Sequence, residues 1–391
     1  MKTLAYIICY LIYPFSFLFP RSSRRLAFGS YRGGFSDNSK YLFIYVVEHY
    51  RDLDCCWLSV NRKTIQYVRS LGLPAYWVLS PIGAWKALRA KYWFVNSYSS
   101  DIMYCLSGNA TIVNLWHGVG LKRCEFNITN GALAERYVKQ TFKERFYHPE
   151  SFRKPDYLLT STPFQTRMFA SAFRVPVDKC LELGYPRNAI LTKSKETVRQ
   201  FVERYEPKTT FDLIDNIQQY SKVYVYMPTW RDSQKNVFAQ HMDLCQLSQV
   251  LAAQNAVLLL KPHPNTVVDS IYQADNLILL DRTIDIYGVL PFTDVLITDY
   301  SSILYDYLLI PDKQVILYLY DYDEYVRERD FYYPFDENVV GKRVTTFENL
   351  VKVIKEGDYY MKENDRAIIL SKFWGKTIEM DSCKEILRRI K

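Results

Sequence analysis

Short apolar runs alternate along this chain with stretches whose apolar residues recur every three or four positions. Strand-like runs fall at 25–31 (RLAFGSY), 54–60 (DCCWLSV), 75–79, 92–97 (YWFVNS), 111–116 (TIVNLW) and 157–160. Helical patterns separate them at 38–49 (NSKYLFIYVVEH), 63–70, 82–90 and 163–173. After a polar helical stretch, 194–219, a second series begins: 222–227 (KVYVYM), 256–261 (AVLLLK), 277–280, 295–298 (VLIT) and 314–319 (QVILYL). Strands that alternate with helices build parallel sheets covered on both faces. The pattern therefore predicts an α/β chain of two Rossmann-like domains, 26–188 and 189–391, facing a central cleft. No internal repeat interrupts it.

Residues 4–20 (LAYIICYLIYPFSFLFP) carry no charge, and Arg21, Arg24 and Arg25 follow. A spanning helix needs about 20 apolar residues. This run is slightly short and contains Pro14, which kinks or ends a helix. A signal peptide would put its positive region first and a small-residue cleavage site last; neither pattern is met, so cleavage is not expected. We read 1–25 as an amphipathic segment at the membrane interface, with aromatics in the lipid boundary and arginines on anionic headgroups. A true span and a segment tucked into the fold are the alternatives. A span would, by its charge order, place the body of the protein on the cytoplasmic side; the expected location is peripheral, on the cytoplasmic face of the membrane.

With 391 residues, the chain is too long for one ordinary core. Apolar residues at 49% and charged ones at 24% fit a globular protein. The 33 Tyr, 22 Phe and 7 Trp suit both large cores and membrane-facing surfaces. The net charge of +8 favours anionic partners without choosing among them. Outside the N-terminus the basic residues form no strip, so nucleic acid is not an expected partner. Eight cysteines without a CxxC pair fit reduced, buried thiols.

In parallel sheets, ligands sit beyond the carboxyl ends of the strands. Four strand-end loops carry candidate chemistry. In LWHGVG (115–120), His117 stands beside Gly118. Glycine permits close ligand approach, and an imidazole titrates near neutrality, so His117 is a candidate general base or a structural turn histidine. In LKPHP (260–264), two prolines stiffen the loop that holds His263 beside Lys261, a pairing suited to phosphate. In TDYSS (298–302), Asp299 precedes Ser301 and Ser302 at a predicted helix start, where backbone amides and hydroxyls bind phosphate. Asp306, one turn on, is placed to reach a ribose hydroxyl or to support the turn. In MPTWRD (227–232), Arg231 suits a phosphate clamp and Trp230 a base or polyol, although an Arg231–Asp232 surface pair explains the same residues. Arg187, in GYPRN, is a further phosphate candidate. There is no HExxH, CxxC, Walker A loop or GxGxxG. No obligatory metal or cofactor is expected.

Six pieces in this order resemble the CDP-glycerol glycerophosphotransferase family of teichoic-acid primases and polymerases: FGSYRGGFSDNSKYLF (28–43), LWHGVGLK (115–122), LGYPRN (183–188), YMPTWRD (226–232), LLKPHP (259–264) and ITDYSSILYDY (297–307). The resemblance implies a GT-B-like fold, a CDP-glycerol or CDP-ribitol donor, membrane association, and a lipid-linked glycan or polyol-phosphate polymer as acceptor in teichoic-acid or capsular polymer synthesis. It maps the family's two histidines onto His117 and His263, its serines onto Ser301 and Ser302, and its arginines onto Arg187 and Arg231. Ala189 and Ser39 stand where the family commonly has Asp and Pro. The rival readings are a GT-B nucleotide-sugar glycosyltransferase and a nucleic-acid or lipid-surface binding protein.

Overall fold

A computed structural model describes residues 2–131, 133–229, 241–262, 273–282, 284–328 and 330–390. The chain divides into two compact units, one of residues 1–119, 123–189 and 374–391, the other of 120–122 and 190–373. The C-terminal stretch 374–391 thus belongs to the first unit, whereas the sequence pattern had grouped it with the second domain.

Among the described residues, the first unit holds a seven-stranded parallel sheet. Its strands are β1 (Ser22–Phe28), β2 (Asp54–Ser59), β3 (Ala75–Trp77), β4 (Ala90–Val95), β5 (Thr111–Asn114), β6 (Tyr157–Thr160) and β7 (Cys180–Glu182), in the order β3-β2-β1-β4-β5-β6-β7. The second unit, counted the same way, holds a six-stranded parallel sheet. Its strands are β8 (Lys222–Met227), β9 (Ala256–Leu260), β10 (Leu277–Leu279), β11 (Val295–Thr298), β12 (Gln314–Tyr318) and β13 (Lys342–Val344), in the order β10-β9-β8-β11-β12-β13. Every residue of β9 and β11 is buried. Helices cover both faces of such a sheet, which is why these strands read as unbroken apolar runs. The strand order reverses direction between β1 and β4, and again between β8 and β11. Ligands of open α/β sheets bind at such reversals.

Local rules set the helix ends. The helix Pro163–Phe173 starts on Thr162, whose side chain accepts from the Gln165 amide, with proline in the first turn. It ends on Arg174 in the left-handed region at φ 56°. The edge strands β7 and β13, three residues each, were not anticipated from the sequence.

The N-terminal segment forms a helix, Lys2–Phe15, that packs on the first unit through one face. Tyr6 and Tyr10 meet Phe146, and Tyr13 stacks on Tyr104 at 4.6 Å. The other face turns Leu4, Leu11 and Phe15 outward, followed by Leu18. No helix among the described residues is long and apolar enough to cross a membrane. The expectation that the arginines meet headgroups needs correction. The Arg21 guanidinium donates to the carbonyls of Ala87, Ala90, Leu106 and Gly108 at 2.6–2.9 Å. Carbonyls at helix and turn ends need donors, and this arginine supplies them. Arg24 donates to the Asp52 carbonyl, and Arg25 pairs with Asp54.

Candidate active site

In the first unit, the loop after β5 is held almost entirely by side chains from elsewhere. Asn114 ends β5, and its Oδ1 accepts from the Trp116 amide at 2.8 Å. Trp116 takes φ 53°, a costly conformation for an aromatic residue. Three consecutive carbonyls are then caught. Asn38 Nδ2 donates to the Trp116 carbonyl at 2.8 Å, Arg187 Nη2 to that of His117 at 2.7 Å, and Tyr185 Oη to that of Gly118 at 3.1 Å. Gly118 has φ 127°, which only glycine adopts without strain. The His117 side chain is exposed and its ring lies 3.8 Å, centroid to centroid, from that of Trp116. The backbone is thus fixed from several directions while the imidazole projects.

Arg187 is 5% exposed, and its Nη1 also meets Asp37 Oδ1 at 2.7 Å. Its amide donates to Asn38 Oδ1 at 3.1 Å. The structure places Arg187 as a buried brace of the histidine loop, with its guanidinium on Asp37 and on the His117 carbonyl. Asp37, Asn38 and Tyr185 were missed by the sequence reading. The SDN run was visible, but it read as the start of a helix. Nothing local signals that residues 37 and 38 meet 187 across the fold.

In the second unit, the ends of β8 and β11 meet at the strand-order reversal. The Asp299 carboxylate accepts the Thr229 amide at 2.9 and 3.1 Å and its neighbour Tyr300's amide at 2.6 Å. Thr298 Oγ1 donates to the Met227 carbonyl at 2.8 Å. Asp299 is 1% exposed and acts as a latch between the two loops. Ser301 and Ser302, beside it, are half-buried at the start of the helix Ile303–Tyr307. That helix has five residues, so its dipole adds little. Backbone amides and hydroxyls are the donors this turn offers to phosphate.

Two other candidates take structural positions. Asp306 is 1% exposed and accepts from Tyr287 Oη at 2.5 Å, which supports the turn from within the fold. Lys261 Nζ donates to the carbonyls of Asp281 and Ile284, both at 2.8 Å, and of Arg282 at 3.3 Å. Its desolvation by burial pushes its pKa down to about 8. An ammonium loses its strong hydration there and is held by carbonyls instead. Lys261 ties Asp281, Arg282 and Ile284 to the end of β9. His263, Trp230 and Arg231 lie outside the described residues. Among the described residues no group of His, Cys, Asp and Glu has metal-binding geometry.

Both units therefore carry built loops at the carboxyl ends of their strands, one presenting an imidazole and one presenting amides and hydroxyls. Comparisons with known proteins show the family. The chain is 30% identical over 360 residues to the teichoic acid glycerol-phosphate transferase of Staphylococcus aureus, covering 88% of this chain and 87% of the relative. It is 29% identical over 376 residues to the teichoic acid poly(glycerol phosphate) polymerase of Bacillus spizizenii, covering 89% and 87%. The fold matches the solved structure of the wall teichoic acid polymerase TagF with a TM-score of 0.78 at 23% identity, over 100% of this chain and 96% of that one. Residues 11–390 match the CDP-glycerol:poly(glycerophosphate) glycerophosphotransferase family, and the chain belongs to it.

Proposed function

We propose that this enzyme transfers glycerol phosphate from CDP-glycerol to a hydroxyl of a lipid-linked or polymeric acceptor in teichoic-acid-type synthesis, releasing CMP. The observation that carries the mechanism is the clamped loop 116–118, whose carbonyls are each held by a separate side chain while His117 projects. That is the construction a positioned general base requires. In this reading His117 takes the proton of the acceptor hydroxyl. The hydroxyl oxygen bonds to the phosphorus that bears glycerol, and the bond from that phosphorus to the bridging oxygen breaks. CMP leaves with the bridging oxygen.

The donor side falls to the second unit. Ser301, Ser302 and the amides beside them bind the diphosphate, over the latch made by Asp299. The roles of His263, Arg231 and Trp230 rest on the family resemblance. Phosphoryl transfer needs mainly alignment and charge stabilisation, which such donors supply. We assign the acceptor to the first unit and the donor to the second.

The exposed apolar face of Lys2–Phe15 supports a peripheral position on a membrane surface, which we assign to the cytoplasmic face. Leu11 and Phe15 are each 64% exposed and Leu18 is 76% exposed, all on one short segment. Scattered apolar residues need no explanation, whereas a continuous row marks a docking face.

A donor screen tests the assignment. Purified protein with a lipid-linked acceptor is given CDP-glycerol, CDP-ribitol or a panel of nucleotide sugars, and products are read by mass spectrometry. Acceptor-dependent CMP from CDP-glycerol is the expected result. Sugar transfer with no CMP formation would contradict it.

A further inference from the structure

The motif at 28–43 has its helix start, Asp37 and Asn38, in the brace of the histidine loop, but its first part, the loop after β1, has no role so far. That loop lies at the strand-order reversal of the first sheet. Arg32 takes φ 54°, a strained left-handed conformation, and Gly33 follows at φ 69°, which glycine adopts readily. Ser59 Oγ latches the turn by donating to the Gly33 carbonyl at 2.7 Å. A Cβ on Gly33 would lie 2.7 Å from that Oγ and 3.2 Å from the Val60 side chain, so the turn is pressed onto the end of β2.

The result is two exposed arginines on adjoining loops, each over an aromatic ring. The Arg32 guanidinium lies 5.1 Å from the ring of Tyr31, which is 55% exposed. The Arg62 guanidinium lies 3.8 Å from the ring of Trp77, whose indole donates to the Val60 carbonyl at 3.1 Å. Lys63 is exposed beside Arg62. No ion pair joins Arg32, Arg62 or Lys63 to an acidic residue among those described. Asp37, the acidic residue nearest in sequence to Arg32, is paired with Arg187. Strands in a sheet are about 4.8 Å apart, so the β1 loop lies about 10 Å along the carboxyl edge from the β5 loop of His117, and the β2 loop about 14 Å.

We propose that Arg32 and Arg62 form an acceptor subsite that binds phosphate groups of the growing chain, one or more repeats back from the hydroxyl that reacts. The inference rests on the assignment of the acceptor to the first unit. Stacked, planar guanidiniums are suited to phosphate. The subsite favours acceptors that already carry phosphodiester or diphosphate groups. Anionic lipid headgroups present the same chemistry, and the experiment separates the two sources.

The full-length protein and the double variant Arg32→Gln/Arg62→Gln are compared with CDP-glycerol and a short synthetic poly(glycerol phosphate) acceptor. The acceptor KM is expected to rise about tenfold or more, and its dependence on salt to flatten. The affinity for CDP-glycerol, measured by calorimetry, and the binding to anionic vesicles are expected to hold. Arg32→Lys/Arg62→Lys recovers part of the loss. An acceptor KM within about twofold of wild type overturns the proposal, whether or not vesicle binding falls. If wild-type protein transfers nothing from CDP-glycerol, the functional reading fails by itself. Direct binding of the oligomer then decides the subsite, which stands only if the double variant binds it more weakly.

Discussion

The Nη2 of Arg187 donates to the carbonyl of His117 at 2.7 Å, across 70 residues of chain. The same guanidinium meets Asp37 at 2.7 Å, so the backbone under the proposed base is tied to the start of the helix Asp37–His49. This is a positioning role, and it separates binding from chemistry. Arg187→Ala removes the guanidinium from the half-buried Asp37 carboxylate and from the His117 carbonyl, and is expected to cost roughly 1–3 kcal/mol of stability. Arg187→Lys keeps a charge for Asp37 but loses the forked contact to His117. It is expected to fold, to bind CDP-glycerol normally and to lose most of its kcat. Thermal melts alongside CMP-release kinetics check both variants, and a kcat near wild type for Arg187→Lys would remove the brace from the account.

Asp299 makes a second, independent test. Its carboxylate accepts from the amides of Thr229 and Tyr300, joining the loops after β8 and β11. Asp299→Ala leaves two amides without their acceptor, each costing about 1–3 kcal/mol if it finds no water. The expected loss is in donor affinity, by about tenfold or more, with binding of the acceptor alone unchanged. Calorimetry with CDP-glycerol reads it. Wild-type donor affinity in a folded variant would place the donor elsewhere.

Much of this was legible in the sequence, and the limits have physical causes. The strand and helix order of both sheets follows from apolar runs and helical spacing, because buried parallel strands must be apolar throughout. The strand ends also point to the loops that carry His117, Ser301 and Ser302. What the sequence concealed is the direction in which polar side chains turn. Arg187, Lys261, Asp299 and Asp306 read from the sequence as ligand contacts, yet each satisfies groups within the fold. Arg21 reads from the sequence as a headgroup contact and instead satisfies four carbonyls. A residue's type shows what it can bind, and only tertiary packing decides which partner it meets.

Glu125 should leave a mark on stability. Its carboxyl accepts from Tyr98 Oη at 2.6 Å in a buried pocket, and desolvation pushes its pKa up from 4.5 to about 7. The folded state therefore holds a proton that the unfolded state releases between those values. Stability falls as pH rises through about 4.5 to 7, and the penalty is complete above that window. Asp101, buried in the same unit, is also raised to about 7 by burial and adds in the same direction. Urea unfolding at the two ends of the window is expected to show a smaller decline for Glu125→Gln than for wild type. Equal declines would mean that Glu125 is not protonated in the fold.

The N-terminal helix offers a test of membrane docking that leaves the fold alone. Leu11 and Phe15 face outward, while Tyr6, Tyr10 and Tyr13 hold the helix to the first unit. Leu11→Glu/Phe15→Glu is expected to change stability by less than about 0.5 kcal/mol per site. It is expected to abolish most co-sedimentation with anionic vesicles. Undiminished sedimentation would assign membrane contact to another surface.

The central claim is that His117 moves the acceptor's proton during glycerol-phosphate transfer. Its most direct test is CMP release from CDP-glycerol, with acceptor present, by wild-type protein and by His117→Ala. The account predicts acceptor-dependent release by wild type. It predicts a fall of ~10²–10⁴-fold in the variant, with CDP-glycerol affinity and melting temperature retained. Turnover near wild type in a folded His117→Ala protein would contradict it.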